Sequence, residues 1–309
     1  MAYALNDLIT TAEFNGFANQ VNAVWGIGTG DSGYGQTSIV STVVAGNDVT
    51  ATQWSTLLAR GNSAAGHQGT AWSSGTNVTA GNPIQVISSL AANCTSINTN
   101  RLTAAVANTT TGALASPTSS ALWTTQSQLI YTLTWADQDA ARAFFNSGGQ
   151  VQMAFSRSGG SAHAKNTGWT SLCTAAGTIV FAAHSTTKTG GSGSPTILLT
   201  TTGYYEGTTS DVNLFRQFDT TSPYTANYLN VAVRTNTITD PNSRGGRGNV
   251  LTFTVTFRDD ATDTSIPSSI DVVDGTFTAS INSRRANTNF LNSPQPANPT
   301  YALTSWSTS

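Results

Sequence analysis

The chain has 309 residues, with 13 Lys+Arg against 15 Asp+Glu and a formal net charge of −2. Charged residues make up only 9%, where about 25% is usual, and small neutral polar residues replace them. So even a balance excludes a nucleic-acid binder held by phosphate contacts. The 7 Trp, 8 Tyr and 12 Phe exclude a disordered chain, and no window approaches the apolar length of a membrane span.

Met1–Asp7 has neither the basic start nor the apolar stretch of a secretory signal, so secretion by that route is not expected. The first hundred residues then read as helical. Thr10 and Glu13 have capping-box spacing, and Phe14, Phe17, Ala18, Val21, Val24 and Trp25 follow in steps of three and four up to Gly26. Behind them runs a glycine-rich turn, residues 26–36, and then a β-branched run, Ser38 to Val44, that predicts a short strand. A second helix opens at Thr50 with Gln53 in the capping position, carrying Trp54, Leu57 and Leu58 before Gly61. A third starts at Pro83 and spaces Ile84, Ile87, Leu90, Ala91, Cys94 and Ile97 on one face. None is long enough to stand alone, so each needs a packing partner.

From about residue 104 to 121 the chain is rich in Thr, Ser, Ala and Gly, which predicts a linker or exposed loop. The period then changes to two: Leu129, Tyr131, Leu133; Val151, Met153, Phe155; Leu229, Val231, Val233; Leu251, Phe253, Val255, Phe257; Phe277, Ala279, Ile281. A short helix from Asp137 to Phe145 interrupts the first two of these runs, leaving through Asn146-Ser147-Gly148-Gly149. The expected fold is α+β: a small helical N-terminal module over residues 1–105, a linker or loop over 106–125, and a mainly antiparallel β-sandwich over 126–309.

Motifs of chemistry are sparse. Gly28-Thr29-Gly30-Asp31-Ser32-Gly33 matches the dinucleotide fingerprint in letters, but the fingerprint needs strand, turn, helix, and here a helix precedes and a strand is predicted to follow. The Gly-Lys of a phosphate-binding loop does not occur, nor does a Gly-x-Ser-x-Gly elbow. His67, His163 and His184 are scattered, and Cys94 and Cys173 read as two buried thiols or a single disulfide, without metal-ligand spacing. Asp259, Asp260 and Asp263 read as a solvated turn rather than a calcium loop. Glycoside hydrolysis needs two carboxylates across a cleft, and the only glutamates are Glu13, already a cap, and Glu206. No catalytic residue, metal or cofactor is therefore expected. Trp169, Tyr204 and Tyr205, with the loop from Ser158 to Lys165, have the residue types of a sugar-stacking surface, with core packing as the other reading.

Several clusters in order resemble structural proteins of tailed-bacteriophage virions: Val21-Asn22-Ala23-Val24-Trp25-Gly26 leading to Gly33-Tyr34-Gly35-Gln36, His67-Gln68-Gly69-Thr70 after the Trp54 helix, and Phe144-Phe145-Asn146-Ser147-Gly148-Gly149-Gln150. Pro223 to Tyr228, Leu251 to Asp259 and Val273 to Phe277 complete the set. The resemblance implies a non-enzymatic virion protein of tail, neck or fibre, assembled in the host cytoplasm, whose partners are copies of itself and other virion proteins. It implies no catalytic residues. By pattern, Trp25, Tyr34, Gln36, Trp54, His67 and Gln68 are expected at a structural joint between helices and sheet, with Phe14, Phe17, Val21, Trp25, Trp54 and Leu57 in the helical core. The alternative is a host-glycan-binding adhesin that touches surface polysaccharide through Trp169, Tyr204 and Tyr205.

Overall fold

A computed structural model describes residues 10–37, 40–75, 77–79, 87–240, 243–261, 271–291 and 296–309. Helix α1 (Thr11–Trp25) opens with the capping box: Glu13 N donates to Thr10 Oγ1 at 3.3 Å, and Thr10 N donates to Glu13 Oε2 at 2.7 Å. Its Phe14, Ala18, Val21, Val24 and Trp25 are buried, while Phe17 is half-buried at the edge of the same cluster. Helix α2 (Ala51–Gln68) repeats the device with Thr50 and Gln53. It does not stop at Gly61. A Cβ on Gly61 would lie 2.1 Å from the Trp72 ring, so the glycine makes room for an indole inside a continuous helix. The stop is Gly69, at φ +71. Helix α3 (Ile87–Thr99) buries Leu90, Cys94 and Ile97; the predicted start at Pro83 and Ile84 lies outside the described residues.

The predicted strand at Ser38–Val44 is not one. Ser38 and Ile39 lie outside the described residues, and from Val40 onward the chain is irregular and lies along α1. Asn22 Nδ2 donates to Val40 O at 2.8 Å and Val40 N donates to Asn22 Oδ1 at 3.1 Å; Asn15 does the same for Val43, at 2.8 Å each way. Two amides, two helical turns apart, take the place of a partner strand.

The linker or loop predicted over 106–125 carries sheet strands over part of its length. A short 3₁₀ turn (Val106–Asn108) leads into β1 (Thr109–Ala115) and β2 (Thr118–Ser119). Then follow β3 (Gln126–Thr134), α4 (Gln138–Asn146), β4 (Gln150–Ser158), α5 (Ala164–Ala176), β5 (Thr178–Phe181), β6 (Thr186–Thr189) and β7 (Ile197–Leu198). A second 3₁₀ turn (Tyr204–Glu206) precedes β8 (Val212–Phe218), β9 (Tyr228–Thr235), β10 (Val250–Arg258), β11 (Thr276–Ala286) and β12 (Thr300–Thr308). One sheet runs β1-β11-β4-β5-β6, with β2 also on β11, and the other runs β12-β3-β10-β9-β8-β7. All pairings are antiparallel. The fold is α+β, with helices first and a β-sandwich behind them. Thr109–Thr111 join this sheet because β11 offers a register from Ala286 back to Arg284, and a hydroxyl-rich composition does not prevent main-chain pairing.

The alternating residues of β3, β4, β9, β10 and β11 fill the space between the sheets, closed by Phe144 and Phe145 of α4 and Trp169 and Leu172 of α5. A separate cluster joins the three N-terminal helices and takes in Ala286 and Leu291 from the end of β11 and beyond. Asn108 Nδ2 donates to Gly66 O at 2.7 Å, tying the start of β1 to the end of α2.

Candidate functional site

The glycine-rich turn lies between the two clusters. It doubles back on the end of α1 through Tyr34 N to Val24 O (3.0 Å), Gly35 N to Gly26 O (3.0 Å) and Gln36 N to Trp25 O (2.9 Å). So tight a return requires left-handed backbone: Gly33 has φ +87, and a Cβ there would lie 2.3 Å from Gly26 O. The turn's carbonyls are thereby aimed outward, toward α4.

Asp137 starts α4 by accepting from Ala140 N at 2.7 Å. The helix then presents Ala141, Phe144 and Phe145 to the sandwich and Arg142 and Asn146, four residues apart, to the turn. The Arg142 side chain is 3% exposed. Its guanidinium donates to the carbonyls of Ile27 (3.3 Å), Gly30 (3.0 Å) and Ser32 (3.3 Å), while Asn146 Nδ2 donates to those of Gly30 (3.2 Å), Ser32 (3.1 Å) and Gly33 (3.0 Å). Tyr205 Oη lies 2.7 Å from Gly30 O and 2.6 Å from Asn146 Oδ1. The turn therefore works as an oxygen-lined cup whose resident cation is a guanidinium of the same chain.

Asp31, at the tip of the turn, accepts from Arg101 Nη2 at 2.6 Å and lies 3.2 Å from His184 Nε2. His184 Nδ1 lies 2.6 Å from Glu206 Oε1, and its ring stacks on Tyr205 at 4.9 Å. Both ring nitrogens thus face carboxylates on opposite sides, which leaves neither for a serine and no shared point at which both acids could hold an ion. Among the described residues no group of three or more His, Cys, Asp or Glu could hold a metal. Arg244 pairs with Asp139 and its carbonyl accepts from Gly30 N, so a loop after β9 closes over the turn. A cavity of about 330 Å³ opens there, lined by Ile27, Tyr34, Asp137, Asp139, Arg142 and Arg244. Arg142 and Arg244 pair with Asp139, and Asp137 caps the first turn of α4.

A second contact lies on the other side of the turn. The Tyr34 ring meets Trp25 edge-on at 5.7 Å and His67 at 5.1 Å. Gln68 Nε2 donates to Tyr34 Oη at 2.9 Å and to Ile97 O at 2.8 Å, and Trp25 Nε1 donates to Arg60 O at 3.1 Å. His67 Nε2 lies 3.1 Å from the Ser147 carbonyl, at the exit of α4. A carbonyl only accepts, so Nε2 carries the proton, and Nδ1 is buried with no hydrogen-bond partner among the described residues. Burial pushes His67 down to about 4, with the Ser147 hydrogen bond opposing, and pushes the Tyr34 hydroxyl well above its usual range.

Of the residues expected at a joint, Trp25, Tyr34, His67 and Gln68 are in mutual contact, and Gln36 adjoins them through the main chain. Trp54 is elsewhere, edge-on to Phe14 at 5.1 Å in the helical cluster. The expected sugar-stacking residues are a correction. Trp169 is fully buried against Trp123 and Phe277, Tyr204 is fully buried with its ring stacked on Phe145 at 4.6 Å, and Tyr205 is 8% exposed beneath His184. None presents a free face. The loop after Ser158 is pinned as well: Arg157 Nε donates to Asp274 O at 2.8 Å, Ser161 N donates to the Asp274 carboxylate, and Lys165 begins α5 in an ion pair with Asp259 (2.8 Å) and Asp271 (2.9 Å). Burial raises Asp259 against the pull of Lys165. The predicted solvated turn at Asp259 is thus half of a buried ion pair; Asp260 pairs with Arg258, and Asp263 lies outside the described residues. Cys94 and Cys173 are free and buried, each thiol pushed up to about 12 by burial.

None of Arg142, Asn146, Asp31 and Glu206 is expected at the joint or at a site from the sequence. The available signal was the stripe Gln138, Arg142, Asn146 at steps of four along a helix whose opposite face is aromatic. No family model matches the chain, and neither a curated protein nor a solved structure matches it.

Proposed function

We propose that the chain is a non-enzymatic structural protein of a tailed-bacteriophage virion, a homo-oligomeric part of tail, neck or appendage in contact with other virion proteins. The observation that carries this reading is the cup: a buried guanidinium and an amide are spent on carbonyls of a glycine turn, fixing the helical layer at one angle to the sandwich. A part that passes load between neighbours needs that fixed angle; a binding cleft would hold such donors free for a ligand. The low charge supports the reading, since neutral hydroxyl-rich faces pack against copies without desolvating ions. The likeness to virion proteins in the Val21–Gln36, His67–Thr70 and Phe144–Gln150 clusters points the same way.

Light scattering with negative-stain imaging of the purified chain tests it. A closed trimer, ring or tube is expected, and incorporation into particles should fail for Trp25→Ala. A folded monomer absent from particles overturns the reading. The adhesin alternative would need a surface other than Trp169, Tyr204 and Tyr205, and binding of host polysaccharide by such a monomer would favour it.

A further inference from the structure

The two long sides of the sandwich end differently. On one side the edge strands are β6, of four residues, and β7, of two. Lys188 of β6 donates to the carbonyls of Gly191 and Gly193, and Thr186 N of β6 is already taken by the Leu199 carbonyl. Short strands and a lysine are the ordinary devices that stop an edge from recruiting another chain. On the other side the edges are β1, of seven residues, and β12, of nine, which lie beside each other. Thr109–Ser119 and Thr300–Ser309 contain no Lys, Arg, Asp, Glu or His. Pro117 blunts the end of β1, whereas β12 has no proline. No main-chain bond to the outer edge of β12 occurs among the described residues. Leu303 on β12 is 51% exposed, Leu122 beside the C-terminal end of β12 is 64% exposed, and Val106 at the entry to β1 is 77% exposed.

We infer that β12 is a self-association edge, and that its partner is the β12 of a second copy, paired antiparallel about a two-fold axis. The inference rests on the homo-oligomer proposed above and narrows it, because a two-fold contact joins copies in pairs and so fits a ring of even number or a tube, not a trimer. An antiparallel edge is complementary to itself, because a two-fold rotation brings each donor opposite an acceptor. An uncharged edge puts no like charges in register, and the opposite, blunted edge does not compete for the partner. A bulge between Leu303 and Ser305 divides the strand, so Thr300–Leu303 and Ser305–Thr308 pair as two short runs, with the leucines covering the seam. The product joins two six-stranded sheets into one.

The test uses the full chain. Wild type should scatter as a multiple of 32.1 kDa, and amides of residues 300–308 should gain hydrogen-exchange protection as concentration rises. The double variant Ala302→Lys, Leu303→Lys should weaken association at least tenfold, while Thr187→Lys on the opposite edge changes nothing. An oligomer that persists in the double variant, with freely exchanging β12 amides in wild type, overturns this interface and leaves the homo-oligomer standing. A wild-type monomer at all concentrations overturns both. Exchange on wild type decides the matter should the double variant fail to fold.

Discussion

The sandwich and the helical layer solve the same problem by different means. In the sandwich, main chain satisfies main chain across ten antiparallel strand pairings among the described residues, and side chains are left free to pack. In the helical layer, the segments between helices have no strand to meet, and side-chain amides and one guanidinium supply what is missing: Asn15 and Asn22 for Val43 and Val40, Arg142 and Asn146 for the glycine turn, Asn108 for the end of α2. The sandwich should therefore tolerate polar substitutions on its surface that the helical layer does not, since in the latter a single side chain holds several main-chain groups.

The largest effect should come from Arg142→Leu, which strips donors from three carbonyls at once; a loss of about 4 kcal/mol is expected, and calorimetry should resolve the single transition into two as the helical layer uncouples. A single, unshifted transition would show that the cup does not couple the layers. Next is acid sensitivity at His67. Unfolded, the imidazole takes its proton near pH 6.5; in the native chain it does so only near 4. The unfolded state binds more protons between those values, so stability falls as pH drops from about 6.5 to 4, by about 1.4 kcal/mol per unit and about 3 in all. Urea unfolding across that window should show this slope, and His67→Gln should remove it; an equal slope in the variant assigns it elsewhere.

Asn22→Ala should cost about 2 kcal/mol, because it orphans both the N–H and the C=O of Val40; Asn230→Ala, a buried amide on the interior strand β9 whose side chain bonds only other side chains, should cost a fraction of that. Equal losses in chemical denaturation would erase the contrast drawn here. Smallest is Thr50→Ala at the α2 cap, at about 1 kcal/mol, read as a lowered melting temperature with no change in cooperativity.

What was legible in the sequence follows the same division. The strands of the sandwich core were visible because each buries one face, and burial writes a period of two into Leu129–Leu133 or Leu251–Phe257. The helix caps at Thr10 and Thr50 and the Asp137 start were visible because capping is local. Helix α5 was missed, although Trp169, Leu172, Cys173 and Ala176 recur at helical steps, because Thr and Gly between them and a histidine N-cap at His163 masked the signal. The β1 edge was missed because a strand with little burial on either face writes no period at all. Tyr34, His67 and Gln68 could be named as a set from their clusters, but Arg142 and Asn146 could not be assigned to the turn, since their partners are carbonyls more than a hundred residues away and carbonyls have no letter in a sequence.

Strand β11 serves both cores, Phe277, Ala279 and Ile281 in the sandwich and Ala286 at its end in the helical cluster. Leu90, Cys94 and Ile97 emerge early in synthesis, yet the cluster they join is completed by Ala286 and Leu291. At roughly 5 to 20 residues per second, the helices that begin the chain wait on the order of ten seconds or more for the residues that close their core. The part made first is finished last, so a growing chain cannot offer a complete helical face to a neighbour until its sandwich is nearly whole. In the oligomer proposed above, a copy would then become competent to dock through its helical face only after Ala286 and Leu291 have been made.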